Sequence, residues 1–189
     1  INGLKSVKGD LRGVALKGDG DFIRKRFGNG AVEELEREME KAGFPITYKD
    51  IRSLGFYPLG LDAVNLILMK RMFLSEKGIV ELGEFLSKTS LVLRFFMKYF
   101  VSVDKVIERA SEMWSENYSR GNLEISIYDK KEKKIVVAVR DFVIHPLYCS
   151  VFEGYFKSVV QMILKKPVNC EETKCAYEGD DYDEFILKW

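Results

Sequence analysis

Histidine is nearly absent from this chain, cysteine is sparse, proline is rare and net charge is close to zero: one, three and four residues respectively in 189, with a formal charge of +1. Each scarcity excludes something. A single imidazole, His145, cannot build a His-Glu-x-x-His metalloenzyme helix, and neither a Gly-x-Ser-x-Gly elbow nor a phosphate loop is present. No obvious general base for neutral pH remains, so catalysis is poorly supported. Three cysteines, an odd number, argue against a secreted disulfide framework. The small net charge creates no global field toward nucleic acid or lipid. Nor does the sequence hold a helix-turn-helix pattern or basic residues interleaved with aromatics. The most apolar run, Leu91 to Val101, is broken by Arg94 and Lys98 and is too short to span a bilayer. No segment has the pattern of a signal peptide. These exclusions lead to the expectation of a cytoplasmic chain with no nucleic-acid partner and no membrane span.

What is present is core-forming material. Hydrophobic residues make up 47% and aromatics 13%, enough to fold without a disulfide. The expected organisation is an N-terminal extension, 1–30, followed by a single domain, 31–189. The extension is rich in Gly and Lys, and Gly18-Asp19-Gly20-Asp21 reads as turns: it lacks both a complete calcium loop and a third dinucleotide-loop glycine. From Ala31 to Ala42, Val32, Leu35, Met39 and Ala42 recur at helical spacing until Gly43 stops them. Thr47 to Leu54 reads as a short helix, and 55–60 as a turn. Leu61 to Phe73 reads as an apolar helix, and Ser75 as the N-cap of another that runs through Leu86, with an interruption at 87–90. Leu91 to Phe100 is apolar all round, and Ser102 caps a helix with the stripe Val103, Val106, Ala110, Met113, Trp114 and Tyr118. The period then falls to two. Leu123, Ile125 and Ile127 alternate with polar residues, and Ile135 to Val139 is continuously apolar, so the two form a hairpin with the second strand inside the sheet. Pro146 suits the first turn of a helix to about Lys165. Two short strands flank a turn at Gly179. The fold class expected is α+β: an antiparallel sheet of about four strands packed by helices, with an N-terminal helical part.

The chemistry concentrates in the last third. His145, Cys149, Cys170 and Cys175 lie there with Glu172 and Asp183, and seven acidic residues crowd 171–184. Thiols, carboxylates and one imidazole at turn-rich ends suggest a metal site or a disulfide. A Cys170–Cys175 or Cys149–Cys175 bridge and free buried thiols are both open alternatives. Strand parity sets a condition. Cys170 and Glu172 point to one face of a straight strand and Cys175 to the other, so the group closes only if the chain bends near Thr173-Lys174.

The spacing Cys149-x4-Gly154-Tyr155, then Glu172-x2-Cys175-x3-Gly179-x3-Asp183-x-Phe185, resembles the 4-vinyl reductase domain over roughly 120–189. That domain is related to TRAPP small subunits and to the heme-NO-binding fold. The resemblance implies a structural zinc on Cys149, Glu172, Cys175 and Asp183. This chain carries Asp183 where the family pattern has a cysteine, which leaves Cys170 and His145 as alternates. The resemblance also implies a homodimeric module that binds or senses a small aromatic or hydrocarbon molecule and signals through an effector protein. A TRAPP-like interaction scaffold, and an accessory protein or enzyme of tetrapyrrole vinyl-group reduction, are the rival expectations. For a ligand, the dense aromatics between helices and sheet supply a pocket wall or plain core. Phe95, Trp114, Tyr118 and Tyr155 are the candidate ligand-binding residues.

Overall fold

The computed structural model describes residues 2–89 and 103–189. Among these lie six α-helices: α1 (Gly13–Phe27), α2 (Asn29–Lys41), α3 (Leu59–Met72), α4 (Glu76–Thr89), α5 (Val103–Asn117) and α6 (Leu147–Leu164). Six strands accompany them: β1 (Asp10–Arg12), β2 (Phe56–Pro58), β3 (Asn122–Asp129), β4 (Lys134–Arg140), β5 (Asn169–Lys174) and β6 (Asp183–Lys188). The helix expected at Leu91–Phe100 lies outside the described residues.

β3 to β6 form one antiparallel sheet in the order β3-β4-β6-β5, and β1 pairs with β2 in a separate two-stranded ribbon. This is the α+β architecture expected, with four strands in the main sheet. β4 is buried along its apolar length because it is flanked by β3 and β6. The β5–β6 register shifts between Glu172 and Lys174, so the bend demanded by strand parity stands at Thr173.

The caps account for the helix boundaries. The Gly78 N–H donates to Ser75 Oγ at 3.1 Å, which closes the first turn of α4. The interruption expected at 87–90 is corrected, since α4 runs to Thr89. Its hydroxyls donate back into the preceding turn, Ser87 Oγ to Glu84 O at 2.8 Å and Thr89 Oγ1 to Phe85 O at 3.1 Å, rather than competing with the helix. The helix expected over 47–54 shrinks to one 3₁₀ turn, Tyr48–Asp50.

The larger correction concerns the N-terminal segment. The residues read as turns, 18–21, lie inside α1. Glycine disfavours a helix by about 1 kcal/mol per residue, but here the glycines permit contact. A Cβ on Gly13 would meet Arg52 O at 2.3 Å, one on Gly18 Leu86 at 2.4 Å, and one on Gly20 the Tyr48 ring at 2.5 Å. Tertiary approach outweighs propensity, and Leu16, Phe22 and Ile23 join the main core.

The same device governs the contact between α4 and α6. A Cβ on Gly83 would lie 2.0 Å from Val151 O, and one on Gly154 would lie 1.9 Å from Val80 O. Each helix presents a glycine to the other's backbone. The Gly154 of the C-terminal motif therefore has a packing role.

Candidate functional site

Two features stand out, both with residues on α6. The first is a thiol–carboxylate cluster. Cys149 comes from the first turns of α6, Glu172 from β5, Cys175 from the loop after β5, and Asp183 from the start of β6. One potential ligand atom from each lies within 4.8 Å of the others. Cys149 Sγ is 3.8 Å from Cys175 Sγ and 3.9 Å from Asp183 Oδ1. The sulfurs are free and much farther apart than the ~2.05 Å of a disulfide. The bulge at Thr173 turns Glu172 and Cys175 toward one point. The Ala176 N–H donates to Asp183 Oδ1 at 2.7 Å and holds that carboxylate in place.

The electrostatics are one-sided. Burial pushes the Cys149 thiol well up, and Glu172 and Asp183 beside it push it further. Burial likewise raises Cys175, Glu172 and Asp183. Glu172 Oε1 is buried with no hydrogen-bond partner. The cluster thus gathers four acidic groups, all held toward their neutral forms.

The two alternates fall elsewhere. Cys170 is buried on β5 outside the cluster, and its thiol is pushed up to about 12 chiefly by burial. His145 precedes α6; its Nδ1 accepts the Leu147 N–H at 3.2 Å and its ring faces Tyr177 at 6.2 Å. Burial lowers its pKa.

The second feature is an apolar cavity of about 170 Å³ between α5, α6, α1, α4 and the face of β3 and β4. Trp114, Tyr118 and Tyr155, three of the sequence candidates, line it. Phe95 lies outside the described residues. Sequence reasoning missed Phe152, Val137 and Met113, which also line it. The stripe on α5 signalled Met113, but nothing in the sequence reports where a core leaves space. Trp114 stacks on Tyr118 at 4.5 Å and meets Phe152 edge-on at 5.4 Å. Its indole N–H donates to Arg120 O at 3.0 Å, which fixes the ring at the wall. Burial holds the Tyr118 hydroxyl strongly protonated.

No family model matches the chain, and no curated protein does either. Solved structures do. An H-NOX protein from S. oneidensis in the Fe(II) ligation state superposes with a TM-score of 0.71 at 14% identity, covering 94% of this chain and 95% of that one. An Fe(II) unliganded H-NOX protein variant from K. algicida gives 0.67 at 10% identity, over 94% and 96%. A further structure, described by heme redox potential and porphyrin distortion, gives 0.59 at 15% identity, over 95% and 100%. At these identities the likeness is one of fold. The chain has an H-NOX-like α+β fold.

Two expectations are corrected by these matches. The structural relatives are H-NOX domains, not 4-vinyl reductase domains or TRAPP subunits, so the family read from the C-terminal spacing is overturned. The physical reason is that the spacing describes one helix and one hairpin, whereas the superposition weighs nearly the whole chain. Zinc as the cofactor was carried by that resemblance and falls with it, because the groups named for the relatives are heme and Fe(II).

Proposed function

We propose that this chain is a small-molecule-binding module whose ligand is a compact, apolar, benzene-sized molecule held in the cavity between α5, α6 and the sheet. The carrying observation is the cavity itself: about 170 Å³, walled by Trp114, Phe152, Val137 and Tyr118. Cores pack with few voids larger than a water molecule. A dry apolar cavity of ~150 Å³ is enough to bind benzene.

Heme, the group named for fold relatives, does not suit these residues. Heme iron takes an axial His, Cys, Met or Tyr. Neither His145 nor any cysteine lines the cavity. Among the described lining residues Tyr118 and Tyr155 carry phenols, which bind iron well only after losing their proton, and burial holds the Tyr118 phenol protonated. Met113, the thioether among the described lining residues, is only a weak ligand. The volume also falls below the ~300 Å³ at which pockets for drug-sized ligands begin.

A second reading concerns the cluster. Cys149, Glu172, Cys175 and Asp183 would hold a divalent cation as a clip joining α6 to the β5–β6 hairpin. Supporting it are the four converging donors and the orphaned Glu172 Oε1. The two free sulfurs already stand 3.8 Å apart, near enough for one ion to touch both. The cation would also supply the positive charge that four neighbouring acidic groups lack.

Toluene tests the first reading. A ligand that binds only the folded state stabilises it by ~2.7 kcal/mol at 100-fold excess over Kd, so toluene should raise the melting temperature and change Trp114 fluorescence. No shift in either, up to the solubility limit of toluene, would leave the cavity as unfilled core and defeat the proposal.

A further inference from the structure

Away from both features, a polar chain runs through the helical core. The Tyr48 hydroxyl donates to Asn65 Oδ1. Asn65 Nδ2 donates to Asp19 Oδ2 at 2.9 Å. At the far end, the Tyr148 hydroxyl donates to Asp62 Oδ2 at 2.5 Å. Asp19 lies on α1, Asn65 and Asp62 on α3, and Tyr148 at the start of α6. Asp19 is 1% exposed and Asp62 4%.

One link is missing. The two carboxyl groups face each other within hydrogen-bonding reach, yet Asp19 Oδ1 has no partner. The Tyr48 and Tyr148 hydroxyl protons and one Asn65 amide proton point elsewhere along the chain. Two carboxylates cannot bond to each other, but a carboxylic acid and a carboxylate can, through the acid's O–H. One added proton completes the chain and removes one of two like charges from a buried site.

We propose that Asp19 and Asp62 share a single proton at neutral pH, and that this proton latches α1 to α3, which Tyr148 in turn joins to the start of α6. The groups facing the pair agree. The phenols of Tyr48, Tyr118 and Tyr148 feel the pair's charge, and Glu36, which accepts the Tyr48 N–H at 2.8 Å, acts on the Tyr48 phenol. No lysine, arginine or histidine is among the groups acting on either carboxyl. Burial raises Asp62 to about 6. Burial, reinforced by Asp62, raises Asp19 well above the carboxylate range. The proton belongs to the pair rather than to one residue.

The direction of the pH effect follows. Both values are raised above the unfolded ~3.9, so the folded state binds the proton more tightly. The stabilisation is complete below the unfolded value and is lost as pH rises through about 6 and beyond. Alkalinity places two repelling charges between α1 and α3, while the Tyr148 O–H keeps its bond to Asp62. That ring packs on Phe142 at 5.1 Å and Phe152 at 5.9 Å, so the latch reaches the aromatic wall of the cavity.

The test is urea unfolding of the full chain from about pH 5 to 9, where folding should take up about one proton through this pair. Asp19→Asn supplies an amide that donates to Asp62 and still accepts from Asn65, so its stability should fall less with pH and should exceed wild type at pH 9. Asp62→Asn should flatten the profile equally and serves if the first variant fails to fold. The wild-type protein gives an independent readout: the infrared difference between wild type and each Asn variant at pH 7 should contain a protonated-carboxyl band. An Asn variant with the wild-type pH slope, or no such band in the difference, would overturn the proposal.

Discussion

Gly154→Ala is the smallest change that should separate the two central helices. A Cβ there would sit 1.9 Å from Val80 O, 2.8 Å from Val80 C and 3.1 Å from Glu84 N, all backbone atoms that cannot rotate away. A carbon–oxygen contact needs ~3.3 Å, so α4 and α6 must part by roughly 1.4 Å. A radial gap of ~0.5–1 Å already forfeits a quarter to a half of each dispersion contact. Ile79 and Leu82 on α4, with Val151 and Phe152 on α6, are buried in the core these helices share. Overpacking usually costs ~1–3 kcal/mol, and backbone meeting backbone sets this case near the top. Alanine returns ~1 kcal/mol of helix propensity. The net expectation is about 2 kcal/mol of destabilisation, or roughly 4–8 °C in melting temperature for a chain of this size. The control is Gly30→Ala in α2, where a Cβ meets nothing within 4 Å; it should stabilise by ~0.4–1 kcal/mol. Urea unfolding of both variants measures the difference. A Gly154→Ala midpoint equal to or above wild type would refute the close-approach argument.

Two further outcomes concern the sites. Cobalt(II) titrated into reduced protein should develop thiolate-to-metal absorption; Cys149→Ser, Cys175→Ser and Asp183→Asn should weaken it strongly while Cys170→Ser and His145→Ala leave it intact, and the reverse ranking would remove the cluster as a cation site. Hemin should give only the spectrum of the free compound, whereas stoichiometric binding abolished by His145→Ala would overturn the exclusion of heme.

How much could be read beforehand varied with how local the determinant was. The β3–β4 hairpin follows from a period of two that any window reveals, and α5 from its apolar stripe. Ser75 announced its cap because capping involves residues three apart. The approach of Cys149, Glu172, Cys175 and Asp183 was expected only through the family resemblance, and parity made it conditional on the bend found at Thr173. α1 was not legible. Its glycines read as turns until Tyr48, Leu86 and Arg52, distant in sequence, are seen to press against them. The family reading failed for a related reason: a short motif specifies a hairpin and a helix end, and many whole folds can carry those. Asp62 did leave a signal: with Asn65 it is one of two polar residues in the first eleven positions of α3. The cavity left none, because empty volume is a property of the assembled core.

The position of β6 has a consequence for biosynthesis. Among the described residues β5 has no hydrogen-bonded neighbour other than β6, and the apolar β4 has only β3 until β6 arrives. A ribosome adding ~5–20 residues per second releases the N-terminal helices and the β3–β4 hairpin first. The nascent chain must therefore carry an open, greasy strand edge, a template for pairing with other chains, until residues 183–188 emerge and seal it. Asp183 arrives with that same strand, so Cys149 and Cys175 wait beside an unfinished cluster until the last strand is in place.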